Sequence, residues 1–243
     1  MGQPILKIEG LEKRFGGLTA VNSLNFEVQP GEILGLMGPN GAGKSTTFNL
    51  IAGEYRPDAG SIQYEGADIT GLPPHRVCHM GIARTYQIPQ PFKMLTTLQN
   101  LMVAARFGKG LSMEAAEREA ERLLDFVGLF AVKDVRAEEL SIPSLKRLEL
   151  ARALASDPKL VLLDEVAAGT TESEVPGMLS MLRKIKGLGK TVIMVEHVMK
   201  VLVEAVDRLI VMDKGEKIAE GLPGDVMENR KVMEAYFGEF VEK

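Results

Sequence analysis

Residues 38–45 read Gly38-Pro39-Asn40-Gly41-Ala42-Gly43-Lys44-Ser45, and they match the pattern G-x-x-x-x-G-K-[ST] at every fixed position. An apolar run at 33–37 precedes this motif, and a run with helical spacing at 46–52 follows it. Glycines allow the backbone to curl, so that several N–H groups and the start of the helix point at one anion. The succession of strand, loop and helix predicts a phosphate-binding loop (P-loop) rather than an ordinary glycine turn.

Two side chains of this loop have predicted roles. Lys44 is expected to bridge the β- and γ-phosphates of a nucleotide, and Ser45 is expected to bind Mg²⁺. The predicted nucleotide-binding residues of this region are Gly38, Pro39, Asn40, Gly41, Ala42, Gly43, Lys44, Ser45 and Thr46. A second Gly-Lys-Thr sequence at 189–191 has Lys184 where the first glycine is required, so it does not predict a second nucleotide site.

A second motif lies at 160–165, where four apolar residues are followed by Asp164 and Glu165. The carboxyl end of a strand is where α/β sheets bind their ligands. We expect Asp164 to hold Mg²⁺ through its water shell and Glu165 to polarise the water that attacks the γ-phosphate. Two acids after a strand are more often a solvated turn, but the apolar quartet and the upstream P-loop favour the functional interpretation.

The composition limits the class of protein. The chain has 243 residues, of which 45% are hydrophobic and 26% charged, as in an average soluble globular protein. Its formal net charge of -4 does not indicate a nucleic-acid partner. The single cysteine excludes a disulfide framework and is typical of the reducing cytosol. The N-terminus does not resemble a signal peptide, and no apolar stretch approaches the ~20 residues that span a bilayer.

The hydrophobic pattern predicts an α/β core with a helical insertion. The predicted strands lie at about 5–9, 24–28, 32–37, 160–164, 191–195 and 208–213. Three helices are predicted between them, at about 97–106, after a Ser112 cap, and at about 144–155. We therefore expect one domain, with an α/β core at 1–87 and 157–222, a helical lobe at 88–156 and C-terminal helices at 223–243.

Several motifs occur in the order found in ABC transporter ATPases, and nearly the whole chain resembles the subfamily of ATPases of branched-chain amino-acid importers. They are Lys13-Arg14-Phe15-Gly16-Gly17, the P-loop, Gln87, Leu163-Asp164-Glu165 and His197. Further stretches resemble the ATPases of branched-chain amino-acid importers, namely 81–87, 167–169 and 195–197. The resemblance implies an ABC ATPase fold of the P-loop NTPase type, with a small antiparallel β portion and an inserted helical lobe.

The resemblance also implies roles for three further residues. Phe15 is similar to the aromatic residue that stacks on adenine, although a buried Phe in the core is the alternative. Gln87 is similar to the glutamine that contacts Mg²⁺ and water and relays the nucleotide state to the membrane subunit. His197 is similar to the histidine that binds the γ-phosphate, whereas a lone histidine after a strand is more often structural. The implied catalytic residues are then Glu165, His197 and Gln87, and the implied metal-binding residues are Ser45, Gln87 and Asp164.

The sequence departs from the family pattern in two loops. ABC ATPases form head-to-tail dimers in which the signature loop LSGGQ of one subunit contacts the ATP of the other. Here that loop reads Leu140-Ser141-Ile142-Pro143-Ser144, so Ser141 is kept as a nucleotide contact while both glycines and the glutamine are replaced. Thr171 replaces the polar residue that ends the loop after Glu165. Either these changes impair the partner's site, or the amides of the following helix still bind the phosphate.

His75, Cys78 and His79 offer imidazole and thiolate groups that suit zinc, and His75 and His79 share helical i, i+4 spacing. No fourth ligand with plausible spacing is near, so a metal site is not expected there.

The resemblance implies a subunit that binds MgATP, dimerises with a second ABC ATPase of the same or another sequence, and drives membrane permease subunits. It would lie on the cytoplasmic face of the inner membrane. It would import branched-chain amino acids or similar small polar solutes that an extracytoplasmic binding protein delivers. The alternatives are the ATPase of a lipid or lipopolysaccharide exporter, a soluble ABC protein acting on ribosomes or DNA, and a P-loop kinase outside the family.

Overall fold

The computed structural model describes residues 2–166 and 174–237. Its contacts cluster in two compact units, the first spanning Met1–Pro74 and Ala167–Lys243 and the second spanning His75–Val166. The second unit holds the three predicted helices together with the segments 75–87 and 157–166. The sequence had assigned these two segments to the α/β core.

The strands are numbered in chain order. They are β1 (Leu6–Phe15), β2 (Leu18–Val28), β3 (Ile33–Met37), β4 (Ala59–Tyr64), β5 (Ala67–Asp68), β6 (Ile82–Arg84), β7 (Leu160–Asp164), β8 (Thr191–Val195), β9 (Arg208–Asp213) and β10 (Glu216–Gly221). All six predicted strands exist. β1 and β2 are longer than predicted, and β4, β5, β6 and β10 were missed because they are short or largely exposed.

The helices are likewise numbered in chain order. They are α1 (Lys44–Ile51), α2 (Pro74–His79), α3 (Thr97–Gly108), α4 (Met113–Phe126), α5 (Ile142–Ala155), α6 (Val175–Gly187), α7 (Met199–Ala205), α8 (Pro223–Met227) and α9 (Arg230–Phe237). None of the described helices is long and apolar enough to cross a membrane.

The first unit contains an antiparallel sheet and a group of parallel strands. The antiparallel sheet has the strand order β2-β1-β4-β5, which confirms the predicted antiparallel β portion. In the other group, β3 pairs in parallel with β8 on one side and β9 on the other, and β10 pairs antiparallel with β9. Every residue of β3 and β8 is buried, as the continuous apolar runs predicted. The P-loop therefore leaves a central, fully buried strand.

In the second unit, β6 and β7 form a parallel pair beside three helices. Ile82 lies opposite Leu160, and Arg84 lies opposite Leu162. Because the two strands run in the same direction, the residues that follow β6 and those that end β7 meet at one edge. This pairing brings the segment 85–87 beside Asp164 and Glu165.

Helices α3, α4 and α5 pack against one another in the second unit. Thr96 caps α3 in a capping box with Gln99, and the Ser112 side chain accepts a hydrogen bond from the Ala115 amide at the start of α4, as predicted. The predicted start of α5 at residue 144 was wrong by two residues. The helix begins at Ile142, because Pro143 lies in the first turn, where a missing N–H has no cost.

Candidate nucleotide-binding site

The P-loop joins β3 to α1, as predicted. Gly43, at a φ of 101°, is the last residue before α1. The Lys44 ammonium donates hydrogen bonds to the carbonyl oxygens of Gly38 at 2.7 Å and Pro39 at 2.9 Å, and only 7% of the residue is exposed. The loop thus curls around its own lysine and presents the N-terminus of a helix, which is the geometry that binds phosphate.

Two of the loop glycines are required by close contacts. A Cβ on Gly38 would lie 2.1 Å from the carbonyl oxygen of Met212, and a Cβ on Gly43 would lie 2.3 Å from that of Ala20. Both glycines also have a positive φ, a region that L side chains rarely adopt. A side chain at either position would therefore displace the loop.

Phe15 ends β1 and is 43% exposed, so the alternative of a core residue is wrong. Its ring contacts that of Tyr55 edge to face, with the centroids 5.3 Å apart. The Lys13 ammonium lies 5.5 Å from the Phe15 ring centroid. An exposed ring that its neighbours hold in place is suited to stacking on a flat base.

His197 follows β8, in the same unit as the P-loop. Its side chain is exposed, whereas the preceding residues Val195 and Glu196 are buried. His197 is therefore exposed just beyond the end of the buried strand β8. Its contact with a γ-phosphate stays a prediction.

In the second unit, the structure brings together three residues that the sequence had assigned to the site. The Gln87 amide nitrogen donates a 2.7 Å hydrogen bond to the Glu165 carboxylate. The backbone amide of Asp164 donates to the Thr85 hydroxyl at 3.0 Å, and the Arg84 guanidinium lies 3.6 Å from the Asp164 carboxylate. The side chains of Arg84 and Asp164 are both nearly buried. Arg84, the counter-ion of Asp164, was not predicted, because the two residues are far apart in the chain.

The backbone of Glu165 has a left-handed conformation. Its φ is 48°, which costs a residue with a side chain roughly 1–2 kcal/mol. The Lys146 ammonium, from α5, donates a hydrogen bond of 3.2 Å to the Glu165 carbonyl oxygen. The proposed base is therefore held at its backbone as well as at its carboxylate.

Two further side chains of α5 hold the segment that follows β6. The Glu149 carboxylate accepts hydrogen bonds from the backbone amides of Gln90 and Tyr86, and burial raises the pKa of Glu149. Arg152 donates to Glu149 at 3.0 Å and to the Gln90 carbonyl oxygen at 2.7 Å. The Arg152 guanidinium also lies 5.1 Å from the Phe92 ring centroid. This part of the chain is therefore clamped to α5 through its backbone.

The clamped segment exposes apolar side chains. They belong to Tyr86, Ile88, Phe92 and Met94. Exposed apolar side chains grouped in one segment often mark a surface that binds another protein.

The altered signature loop leads directly into α5. Ser141 precedes the helix, and its hydroxyl donates a 3.0 Å hydrogen bond to the Ser144 hydroxyl. Ile142 and Pro143 are exposed in the first helical turn. The residues that align with the signature loop LSGGQ are therefore helical from residue 142 onwards. Thr171, the other departure, lies outside the described residues.

A contact between the C-terminal region and the P-loop was not predicted either. The Gly38 backbone amide donates a hydrogen bond to the Tyr236 hydroxyl of α9, while burial raises the pKa of Tyr236.

The cluster of His75, Cys78 and His79 is the other place where metal-binding side chains were compared with a zinc site. There, His79 Nε2 lies 3.1 Å from the Phe107 carbonyl oxygen. Within residues 2–166 and 174–237 there is no group of three or more His, Cys, Asp or Glu side chains that could hold a metal ion.

Comparison with known proteins identifies the family. A family model described as ABC transporter matches residues 21–168. The chain belongs to the ABC transporter family. A second family model, described as branched-chain amino acid ATP-binding cassette transporter, matches residues 216–242 of this ABC ATPase.

Similar proteins match the ABC ATPase over almost its whole length. A probable branched-chain amino acid transport ATP-binding protein, LivG of Archaeoglobus fulgidus, is 39% identical, covering 96% of this chain and 95% of that protein. The high-affinity branched-chain amino acid transport ATP-binding protein BraF of Pseudomonas aeruginosa is 36% identical, covering 98% and 100%. A solved nucleotide-free ATP-binding cassette from an ABC transporter superimposes with a TM-score of 0.88 at 33% identity, covering 98% and 100%.

These comparisons confirm the ABC ATPase fold that the P-loop, the Asp-Glu pair and the motif order predicted. The chain is a nucleotide-binding ATPase, and the alternative of a P-loop kinase outside the family is wrong.

Proposed function

We propose that this ABC ATPase binds MgATP, hydrolyses it and powers the import of branched-chain amino acids or similar small polar solutes. The family match at 216–242 is the observation that carries the substrate class, because it lies outside the general ABC match at 21–168. The near full-length relatives named for branched-chain amino acid transport support the same class.

In this proposal, the P-loop binds the phosphates of ATP. Lys44 contributes the cation for the β- and γ-phosphates, and the backbone amides of the loop and of the first turn of α1 donate to the phosphate oxygens. In ATP-bound protein Lys44 would exchange its hydrogen bonds to Gly38 and Pro39 for bonds to phosphate. Phe15 would stack on the adenine ring.

The proposed Mg²⁺ ligands fit that ion. Ser45, Gln87 and Asp164 offer hydroxyl, amide and carboxylate oxygens, which are the donors that Mg²⁺ prefers. The Gln87 nitrogen donates to Glu165, so the Gln87 carbonyl oxygen is the end of the amide that remains to bind a cation. Asp164 already faces the positive charge of Arg84, so its surroundings are suited to the carboxylate form. When bound, Mg²⁺ would neutralise charge on the β- and γ-phosphates.

Glu165 is the proposed general base of hydrolysis. Its carboxylate would accept a proton from the attacking water, while the hydrogen bond from Gln87 fixes the orientation of the carboxylate. His197 would donate a hydrogen bond to the γ-phosphate. Catalysis of phosphoryl transfer depends mainly on such positioning and on the stabilisation of charge.

In this proposal, the ATPase is held at the membrane because it binds the permease. We assign its contact surface to the segment 87–100, which carries the exposed side chains of Ile88, Phe92 and Met94. The clamp of Glu149 and Arg152 would transmit movements of this segment to α5. A second ABC ATPase subunit would receive Ser141 at its nucleotide, and a solute-binding protein would deliver the solute to the other side of the inner membrane.

The proposal is tested by reconstituting the ATPase with its permeases in lipid vesicles and measuring ATP hydrolysis. Leucine presented with a branched-chain amino acid binding protein should raise the rate several-fold. Glycine with the same binding protein is the control. A rate that responds to lipopolysaccharide or lipid and not to leucine would replace the importer with an exporter.

A further inference from the structure

Lys146 contacts the backbone of the proposed base, a role that none of the sequence motifs assigns to it. Its side chain leaves the second turn of α5, is partly buried, and reaches the Glu165 carbonyl oxygen at 3.2 Å. A hydrogen bond from an ammonium is roughly twice as strong as one between neutral groups. Lys146 can therefore hold a peptide group in place.

Glu165 needs such a contact because its backbone is strained. A φ of 48° is unfavourable for a residue with a Cβ, so the peptide would relax unless its surroundings held it. Rotation about φ changes the direction in which the side chain leaves the backbone. Relaxation would therefore carry the Glu165 carboxylate away from the position in which Gln87 binds it at 2.7 Å.

We propose that Lys146 is a positioning residue for hydrolysis, which keeps Glu165 in its left-handed conformation and so keeps the carboxylate aimed at water. This proposal rests on the assignment of Glu165 as the base. Lys146 acts through Glu165 and does not contact the nucleotide. Ser141 lies directly before α5. In the proposed dimer, the helix that follows the residue at the partner's nucleotide would therefore also support the base of its own subunit.

The competing explanation is that the Lys146 ammonium acts directly on a phosphate, as a cation near the signature loop could. The two explanations differ in their dependence on Glu165. Loss of a positioning residue lowers the rate of hydrolysis only while the Glu165 carboxylate is the base. Loss of a cation that contacts a phosphate lowers the rate with or without that carboxylate.

The experiment measures ATP hydrolysis and ATP affinity in the assembled transporter carrying Lys146→Met. Misplacement of a catalytic group by about 1 Å can lower the rate on the order of 10²-fold, so we expect kcat to fall about 10- to 100-fold. The KM and Kd for ATP should stay within about twofold, and Lys146→Arg should restore most of kcat. Arg147→Met removes the same charge from the next, exposed residue and serves as the matched control.

A double-mutant cycle with Glu165→Gln decides between the explanations. In the Glu165→Gln background the residual rate no longer uses the carboxylate, so Lys146→Met should lower it no further. An equal fractional loss in both backgrounds, or a large loss of ATP affinity, would overturn the proposal. Hydrolysis that survives Glu165→Gln at the wild-type rate would instead refute the base assignment. If Lys146→Met does not fold, Lys146→Gln enters the same cycle and the same outcomes apply.

Discussion

Gly43→Ala should abolish tight nucleotide binding, because the added methyl group has no room. Its Cβ would lie 2.3 Å from the Ala20 carbonyl oxygen, whereas an ordinary contact needs about 3.4 Å. The loop would have to move by about 1 Å at the residue directly before α1. Hydrogen bonds of about 2.9 Å from the first amides of α1 to phosphate would then lengthen beyond useful range.

The size of this effect follows from the bonds that are lost. A hydrogen bond to a charged group contributes about 1.5–3 kcal/mol, so losing two of them costs about 3–6 kcal/mol. The expected loss of ATP affinity is therefore about 10²- to 10⁴-fold.

Gly41→Ala is the matched control. Gly41 also has a positive φ, of 81°. Within residues 2–166 and 174–237, no atom beyond Gly41 and its two chain neighbours lies within 4 Å of its Cβ position. Only backbone strain of about 1–2 kcal/mol is expected there, or at most roughly 30-fold in affinity. Both variants are measured by calorimetric titration with ATP, after circular dichroism has shown that they fold. Equal losses, or a Gly43→Ala variant that binds within tenfold of wild type, would show that the close contact at Gly43 does not control phosphate binding.

Three further predictions concern α5 and the segment that it clamps. Phe92→Asp should leave ATP affinity unchanged and abolish stimulation of the ATPase by the permease. Phe92→Tyr should retain stimulation. Normal transport by the Phe92→Asp variant would show that this segment does not contact the permease. Burial raises the pKa of Glu149, so its contribution to stability is complete below the unfolded pKa and is lost as pH rises through the folded pKa. In urea titrations, wild type should therefore lose stability relative to Glu149→Gln as the pH rises above the ordinary pKa of a glutamate. A pH-independent difference would contradict this. An altered signature loop that impairs the nucleotide site of a different partner ATPase should be repaired by replacing residues 142–144 with Gly-Gly-Gln. Hydrolysis at the partner's site should then rise by about 10²–10³-fold. Equal acceleration of both sites, or none, would show that the loop is a functional variant.

The sequence predicted the parts of the site that are local in the chain. The P-loop needs only one strand, eight residues and one helix, so its pattern can be read directly. The acids after β7 were found for the same reason, since an apolar run followed by two carboxylates is a continuous signal.

Contacts between distant residues could not be predicted in this way. Gln87 and Glu165 are 78 residues apart, and their hydrogen bond exists because β6 pairs in parallel with β7. β6 has only three residues, too few for a periodic signal. Neither Arg84 beside Asp164 nor Lys146 beside Glu165 has any local pattern that marks it, because each contact depends on the packing of β6 and α5 around β7. The predicted start of α5 was wrong because the resemblance implied a signature loop at residues 140–144. Pro143 is nevertheless compatible with the first turn of a helix.

The proposed mechanism of ATP hydrolysis depends on Glu165 as the general base. Single-turnover hydrolysis by the assembled transporter carrying Glu165→Gln tests it most directly, because the amide keeps the shape of the carboxylate and cannot accept the proton. We expect ATP affinity within about twofold of wild type, accumulation of an ATP-bound closed dimer, and hydrolysis slowed by about 10²- to 10⁴-fold. Hydrolysis at the wild-type rate by this variant would contradict this mechanism.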